Sequence, residues 1–233
     1  MTETRGRQMR REDILAGIHD SHVREAARRH NVPFKSPEER RAIMRSMLAE
    51  LGPGEDTWVF GYGSLMWNPA FEHTETRCGR VFGYHRRFVF WSKMGRGSED
   101  MPGLMMGLTR GGSCAGLALR VAAESAEDEL QSVFMRELMT SSYHARFVPV
   151  HTEGGIVRAI TFIANPGHIF YAGRVPGATA ARHIALAEGH LGPCRDYLYN
   201  VVQHLNAHGI RDRRMQRLLS MVEVHRASLS EGE

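Results

Sequence analysis

The spacing of apolar residues changes twice along this chain of 233 residues. In residues 1–52 apolar side chains recur every three or four positions, which is typical of amphipathic helices. From Thr57 they alternate with polar ones or form short runs, which favours strands. After about residue 178 the helical spacing returns. The pattern therefore predicts an α+β protein in which helices precede and follow a block of strands.

Residues 1–56 are predicted to be a helical extension. Within it, the sequence SPEE has the form of a capping box, with Ser36 as the N-cap, Pro37 as the first helical residue and Glu39 at the third position. The extension either packs on the main domain or forms an oligomer contact. The main domain is expected to span residues 57–228, and a short tail to follow at 229–233.

The strand block contains two glycine-rich connections. Glu153-Gly154-Gly155 and the segment 109–113, TRGGS, are each predicted to be a hairpin turn. Antiparallel hairpins with helices on either side indicate a strongly curved sheet or a small barrel, and not a doubly wound parallel sheet. The predicted strands are 57–62, 80–91, 103–108, 114–121, 145–152 and 156–164.

One helix, about 125–140, interrupts the strands and carries an unusual carboxylate. On a helical wheel its apolar stripe consists of Leu130, Val133, Phe134 and Leu138. Ser132 and Arg136 lie outside this stripe, whereas Glu137 falls in the middle of it. A carboxylate placed there must be buried or face a cavity, and burial without a partner costs several kcal/mol. Glu137 is therefore either an acid–base group or a structural carboxylate that reaches the edge or pairs with a buried arginine such as Arg87.

The first strand ends in a second unusual feature, the sequence GYGSL at residues 61–65. It lacks the third glycine of a dinucleotide-binding fingerprint, because Met66 stands there, and Ser64 lacks the flanking glycines of a nucleophile elbow. What remains is a turn of small residues. Gly63 would let a ligand approach the backbone closely, and successive N–H groups there can bind a carboxylate. The alternative is a structural bulge.

Charge and composition narrow the classes of function. The formal net charge is +4, and residues 1–50 hold 11 Arg and Lys side chains interrupted by 8 Asp and Glu. Nucleic acid is not expected as a partner, because its recognition needs a concentrated basic face. No run approaches the ~18 apolar residues of a membrane helix. Residues 1–13 lack the apolar core of a secretory signal, so we expect a cytoplasmic protein with no membrane partner.

The sequence contains no complete motif for a metal site or for a disulfide framework. Cys78, Cys114 and Cys194 lie far apart and form no CxxC pair, so they are expected to be reduced and structural. His204 and His208 have the i, i+4 spacing of metal ligands, but the sequence offers no accompanying glutamate and no clear third ligand. A metal site is therefore not predicted.

Several of these segments occur together in a known family. Residues 57–228 resemble the ChaC-like γ-glutamylcyclotransferases in the order and spacing of five short motifs. These are YGSL at 62–65, GYHRRFVFWS at 83–92, PGLMMGL at 102–108, Arg136-Glu137, and GPCRDYL at 192–198.

The resemblance implies a γ-glutamylcyclotransferase-like fold, a small mixed β-barrel flanked by helices. It also implies release of 5-oxoproline from a γ-glutamyl compound, which is glutathione for ChaC-like members, with Cys-Gly as the second product. The substrate's own α-amine attacks its γ-amide carbonyl, so no cofactor, metal or protein nucleophile is expected. Glu137 corresponds to the glutamate that acts first as general base and then as general acid.

The resemblance also implies a substrate-binding loop, made of Gly61, Tyr62, Gly63, Ser64 and Leu65. Arg87 and Tyr143 are further candidates for substrate contact, although a solvent-facing arginine and a core tyrosine fit these positions equally well. Ser141-Ser142 stands where many members carry a glycine pair, on the side expected to receive the leaving group. Other γ-glutamyl amides or amines are thus alternative substrates, and a weakly active γ-glutamyl-binding protein is a further alternative. A monomer or weak homodimer is expected.

Overall fold

The chain passes back and forth between two units, which a computed structural model of the protein describes over Arg5 and residues 8–230. The barrel unit consists of residues 9–86 and 108–169. The helical unit consists of residues 87–107 and 170–230, with Arg5 and Gln8. Of His19, His22, Leu229 and Ser230, only the backbone is described.

The helices and strands follow the predicted order. The helices are α1 (Arg11–Leu15), α2 (Ile18–Arg29), α3 (Pro37–Leu48), α4 (Ala126–Glu137), α5 (Gly177–Leu186), α6 (Cys194–Ala207) and α7 (Arg213–Ser230). The strands are β1 (Thr57–Gly61), β2 (Glu75–Ser92), β3 (Gly103–Val121), β4 (Tyr143–Thr152), β5 (Gly155–Ala164), β6 (Glu188–Gly189) and β7 (Gly192–Pro193). Helix α7 reaches Ser230, so residues 229 and 230 of the predicted tail belong to this helix. Residues 231–233 lie outside the described residues.

Strands β1 to β5 close into a barrel in the order β1-β3-β2-β4-β5. The barrel is mixed, because β1 runs antiparallel to β3 but parallel to β5, with Trp58 opposite Ala159. Every residue of β1 is buried. The predicted small mixed β-barrel is confirmed, and so is the hairpin at 153–155, since Thr152 pairs with Gly155.

The predicted hairpin at 109–113 is wrong. Strand β3 runs without interruption from Gly103 to Val121, through the segment that was expected to turn. Gly111 and Gly112 have φ values of 100° and 68°, which glycine adopts without steric cost. A pair of such residues bends a strand as a bulge does, without reversing its direction.

The helices that precede the barrel belong to the barrel unit. The predicted capping box is present: the Glu39 N–H donates to Ser36 Oγ at 3.2 Å, and the Ser36 N–H donates to a Glu39 carboxylate oxygen at 2.6 Å. Helices α1 and α3 both pack against α4. Residues 9–56 therefore supply part of the packing surface for α4, the helix that ends at Glu137.

The helical unit contains a buried thiol. Cys194 lies at the start of α6, where the Leu104 N–H donates to its Sγ at 3.3 Å and Sγ–H donates to the Leu104 carbonyl at 3.2 Å. Burial raises the pKa of this thiol to about 11. Helix α5 ends at Leu186, and the short strands β6 and β7 follow it.

Candidate active site

The loop at 61–65 follows β1 and is shaped by close backbone contacts. After Gly61 the chain enters a single 3₁₀ turn at Ser64–Met66. A Cβ atom on Gly61 would lie 3.0 Å from Leu65 Cβ, and one on Gly116 of β3 would lie 2.3 Å from the Gly61 carbonyl oxygen. Two glycines therefore let β1 turn sharply while β3 stays against it.

The side chains of this loop serve mainly as anchors. Tyr62 is buried, and its hydroxyl donates to the Phe162 carbonyl at 2.6 Å. Leu65 is also buried, and Ser64 is half-buried. Any ligand at this loop would consequently meet mostly backbone groups.

Arg86 supports the loop from within the barrel unit. Its side chain is buried, with Nη1 donating to the Tyr62 carbonyl at 2.6 Å and Nη2 donating to the Ala115 carbonyl. Its neighbour Arg87, the predicted candidate for substrate contact, is half-buried and belongs to the helical unit. The missed signal is Gly83, whose φ of 81° marks a bulge that shifts the strand's alternation by one residue.

Glu137 is the last residue of α4, and its side chain is only 17% exposed. Its Oε1 accepts a hydrogen bond from Arg136 Nε at 2.9 Å. The inward position that the helical wheel predicted is thus observed, but the partner is Arg136 and not Arg87. Within residues 8–230, Oε2 accepts no hydrogen bond.

Arg136 connects this carboxylate to the loop. Its Nη1 donates to the Asn68 carbonyl at 2.9 Å, and the Asn68 N–H donates to the Ser64 carbonyl at 2.8 Å. Two hydrogen-bonded residues thus link Glu137 to the 61–65 loop.

Ser132 and Arg136 were expected outside the buried stripe of α4, and this expectation is wrong. Both are buried, because the segment that follows the 61–65 loop covers that side of the helix. Ser132 Oγ donates to the Ala70 carbonyl at 2.5 Å, and Arg136 bonds Asn68 as described above. The helical wheel reports only the helix itself, so it cannot anticipate a covering segment some 65 positions away.

The residues after Glu137 form a polar network. Thr140 Oγ1 lies 2.7 Å from Ser142 Oγ, which lies 3.3 Å from Nε2 of the buried His168. Burial lowers the pKa of His168, and the nearby charge of Lys35 lowers it further. Tyr143, a candidate for substrate contact, is buried at the start of β4 opposite Ala164.

Neither a metal centre nor a membrane span is found in the described part of the chain. No three His, Cys, Asp or Glu side chains there are grouped so as to hold a metal ion. His204 is buried on α6, with Nδ1 at 2.8 Å from the Asn200 carbonyl oxygen. Among the described helices, none combines the length and apolar character needed to cross a bilayer.

The fold of this chain also occurs in proteins of known structure. A glutathione-specific γ-glutamyl cyclotransferase from yeast matches 73% of this chain and 97% of its own, with a TM-score of 0.68. Since the two sequences are 21% identical, this likeness defines the fold. The expected γ-glutamylcyclotransferase-like fold is confirmed.

Sequence comparison defines the family. The model of the ChaC-like protein family matches residues 57–225, and this chain belongs to that family. The glutathione-specific γ-glutamylcyclotransferase of Escherichia coli strain K12 is 38% identical over 189 residues, which cover 81% of this chain and 82% of the relative. The mouse glutathione-specific γ-glutamylcyclotransferase 1 is 32% identical over 163 residues, which cover 68% of this chain and 73% of the relative.

Proposed function

We propose that this chain is a γ-glutamylcyclotransferase that cleaves glutathione into 5-oxoproline and Cys-Gly. Family membership supports the proposal, and so does the similarity to the E. coli enzyme over most of both chains. The observation that carries it is the position of Glu137. Its carboxylate is mostly buried and has one oxygen not engaged by the described residues, and Arg136 links it to the 61–65 loop.

The reaction needs one group that can accept and return a proton. Glu137 takes a proton from the α-ammonium of the γ-glutamyl group, and the freed amine attacks the γ-carbonyl carbon to close a five-membered ring. The C–N bond to the cysteine nitrogen then breaks, Glu137 returns the proton to that nitrogen, and the ring nitrogen gives up its second proton to solvent, so that 5-oxoproline and Cys-Gly leave. Arg136 holds Oε1, which leaves Oε2 to exchange the proton.

Arg136 is also a candidate for direct substrate contact. Its Nη2 is buried and has no hydrogen-bond partner among the described residues. A buried guanidinium N–H normally has an acceptor, and the carboxylate of a γ-glutamyl group would supply one. In this arrangement one side chain orients both the catalytic carboxylate and the substrate.

The loop supplies backbone groups for the remaining contacts. We infer that N–H groups of Gly63, Ser64 and Leu65 bind the substrate carboxylate or the oxyanion that forms during ring closure. Tyr143 and Arg87 stay predictions as substrate-binding residues, because both also fit structural roles.

The deciding experiment measures 5-oxoproline release from glutathione, γ-glutamyl-alanine and a γ-glutamyl-amine at equal concentrations. The proposal expects turnover with glutathione to exceed turnover with the other two by at least about tenfold. Faster turnover of γ-glutamyl-alanine or the amine would move the assignment to a different leaving group, for which Ser141-Ser142 is the first segment to examine. Binding of all three without any 5-oxoproline would reject the enzyme and favour a γ-glutamyl-binding protein.

We further propose a cytoplasmic protein that is a monomer or weak homodimer and that does not bind nucleic acid. The interrupted positive charge of residues 1–50 supports the last point. Analytical ultracentrifugation over a range of concentrations tests the oligomeric state, and a gel-shift assay with duplex DNA and RNA tests nucleic-acid binding. Cell fractionation tests the location.

A further inference from the structure

Residues 34–40 contact the chain on both sides of Glu137. Lys35 N–H donates to the Met139 carbonyl at 2.9 Å, and Phe34 forms an isolated antiparallel bridge with Thr140. Lys35 Nζ donates to the Thr140 carbonyl at 2.8 Å. These contacts fix the backbone two and three residues after Glu137.

Arg40 provides the contact before Glu137. Its side chain is fully buried, and its Nη1 donates to the Met135 carbonyl at 2.6 Å. Because α4 ends at Glu137, the Met135 carbonyl lies in the last turn and has no partner one turn further along the helix. The guanidinium supplies that partner, as basic side chains often do at helix C-termini. The carboxylate of Asp20 accepts from the same Nη1 at 3.1 Å and also from Nη2.

The 34–40 segment lies outside the part of the chain that the family model matches, which begins at residue 57. Its contacts nevertheless converge on a six-residue stretch, 135–140, with Glu137 inside it. By contrast, the ion pair between Arg45 of α3 and Glu127 of α4 lies on the surface, at the opposite end of α4.

We propose that Lys35 and Arg40 are positioning residues for Glu137, which hold the end of α4 and the following loop so that the carboxylate keeps one place relative to the substrate. The inference rests on the proposed function, since it assumes that Glu137 transfers the proton. Small displacements of a catalytic group lower the rate of the chemical step with little effect on substrate binding. The extension would then be part of the active-site framework.

The test uses Lys35→Met in the full chain, because Lys35 is only half-buried and its aliphatic stem is retained. We expect kcat for 5-oxoproline release to fall about tenfold while KM stays within about twofold. Lys35→Arg, which keeps a cationic donor, should restore most of kcat. Arg45→Met removes the contact at the other end of α4 and should leave both constants unchanged.

Thermal unfolding of each variant separates positioning from stability. If the Lys35→Met protein is fully folded at the assay temperature and kcat is still reduced, the proposal holds. Unchanged kcat, or a loss that only follows the fraction of unfolded protein, would overturn it. Glu137→Gln is assayed alongside: an active Glu137→Gln enzyme rejects the proposed function itself, whereas an inactive one beside a normal Lys35→Met enzyme rejects only the positioning role.

Discussion

The two ends of α4 each carry a glutamate paired with an arginine, and the pairs differ in their access to water. At the first turn, Arg45 and Glu127 lie 2.6 Å apart with side chains 64% and 56% exposed. At the last turn, Arg136 and Glu137 lie 2.9 Å apart with side chains 7% and 17% exposed. The chemistry of the groups is the same, so the environment accounts for what each pair can do.

Solvent screens the first pair, and such pairs typically contribute about 0–1 kcal/mol to stability. The second pair is desolvated, and removing one partner of a buried pair typically costs roughly 3–5 kcal/mol. Stability alone does not require charges there, because apolar side chains of similar volume often serve as well. We therefore interpret the buried pair of Arg136 and Glu137 through the proton transfer proposed for Glu137.

The largest effect is expected for Glu137→Gln. The amide keeps the size of the side chain but cannot accept the α-ammonium proton, so kcat should fall by roughly 10³-fold or more. Binding of glutathione, measured by calorimetry, should persist within a fewfold of wild type. Full activity in this variant would remove the basis of the proposed mechanism.

For Arg136→Met we expect a smaller loss of kcat, together with changes in KM and in stability. The change removes the donors to Glu137 and Asn68 together, so kcat should fall by about 10- to 100-fold and KM should rise. The free energy of unfolding, from urea titration, should fall by roughly 3 kcal/mol, because the carboxylate loses its buried partner.

A double variant, Arg136→Met with Glu137→Gln, tests whether the two side chains act as a pair. Its loss of stability should be smaller than that of Arg136→Met alone, because no unpaired buried charge remains. Strictly additive losses would contradict the paired arrangement.

The smallest effect is expected for Glu127→Gln, the same chemical change at the solvent-exposed end of α4. The free energy of unfolding should change by less than about 1 kcal/mol, and kcat should match wild type. A loss of activity here comparable to that of Glu137→Gln would mean that α4 responds as a whole and that its two ends are not distinct.

The sequence alone located Glu137 because α4 is long enough for its apolar period to define an inward face. The same helical wheel wrongly placed Arg136 and Ser132 outside the buried face, because the segment that covers them is distant in the chain. Glycines account for two features that the sequence pattern did not anticipate. Gly111-Gly112 bends β3 where a turn was predicted, and Gly83 marks a bulge beyond which Arg86 is buried, whereas Arg87 is the arginine that was named as a candidate.

The 61–65 loop shows a different limit of prediction from sequence. A turn of small residues is visible in the sequence, but the reason for Gly61 becomes clear only with Gly116 beside it. The same holds for the 34–40 segment. Its capping box was predicted and is confirmed, whereas its contacts with Met135, Met139 and Thr140 depend on a packing that no local pattern encodes.

The burial of Cys194 determines how this thiol would react with a disulfide such as oxidised glutathione. Oxidised glutathione modifies cysteines by disulfide exchange, and the attacking species is the thiolate. With a pKa of about 11, only about 1 in 10⁴ of these side chains would be ionised at pH 7. Cys194 is also enclosed and hydrogen-bonded to Leu104 in both directions. The thiol that joins β3 to α6 is thus shielded from disulfide exchange, whereas Cys78 is exposed.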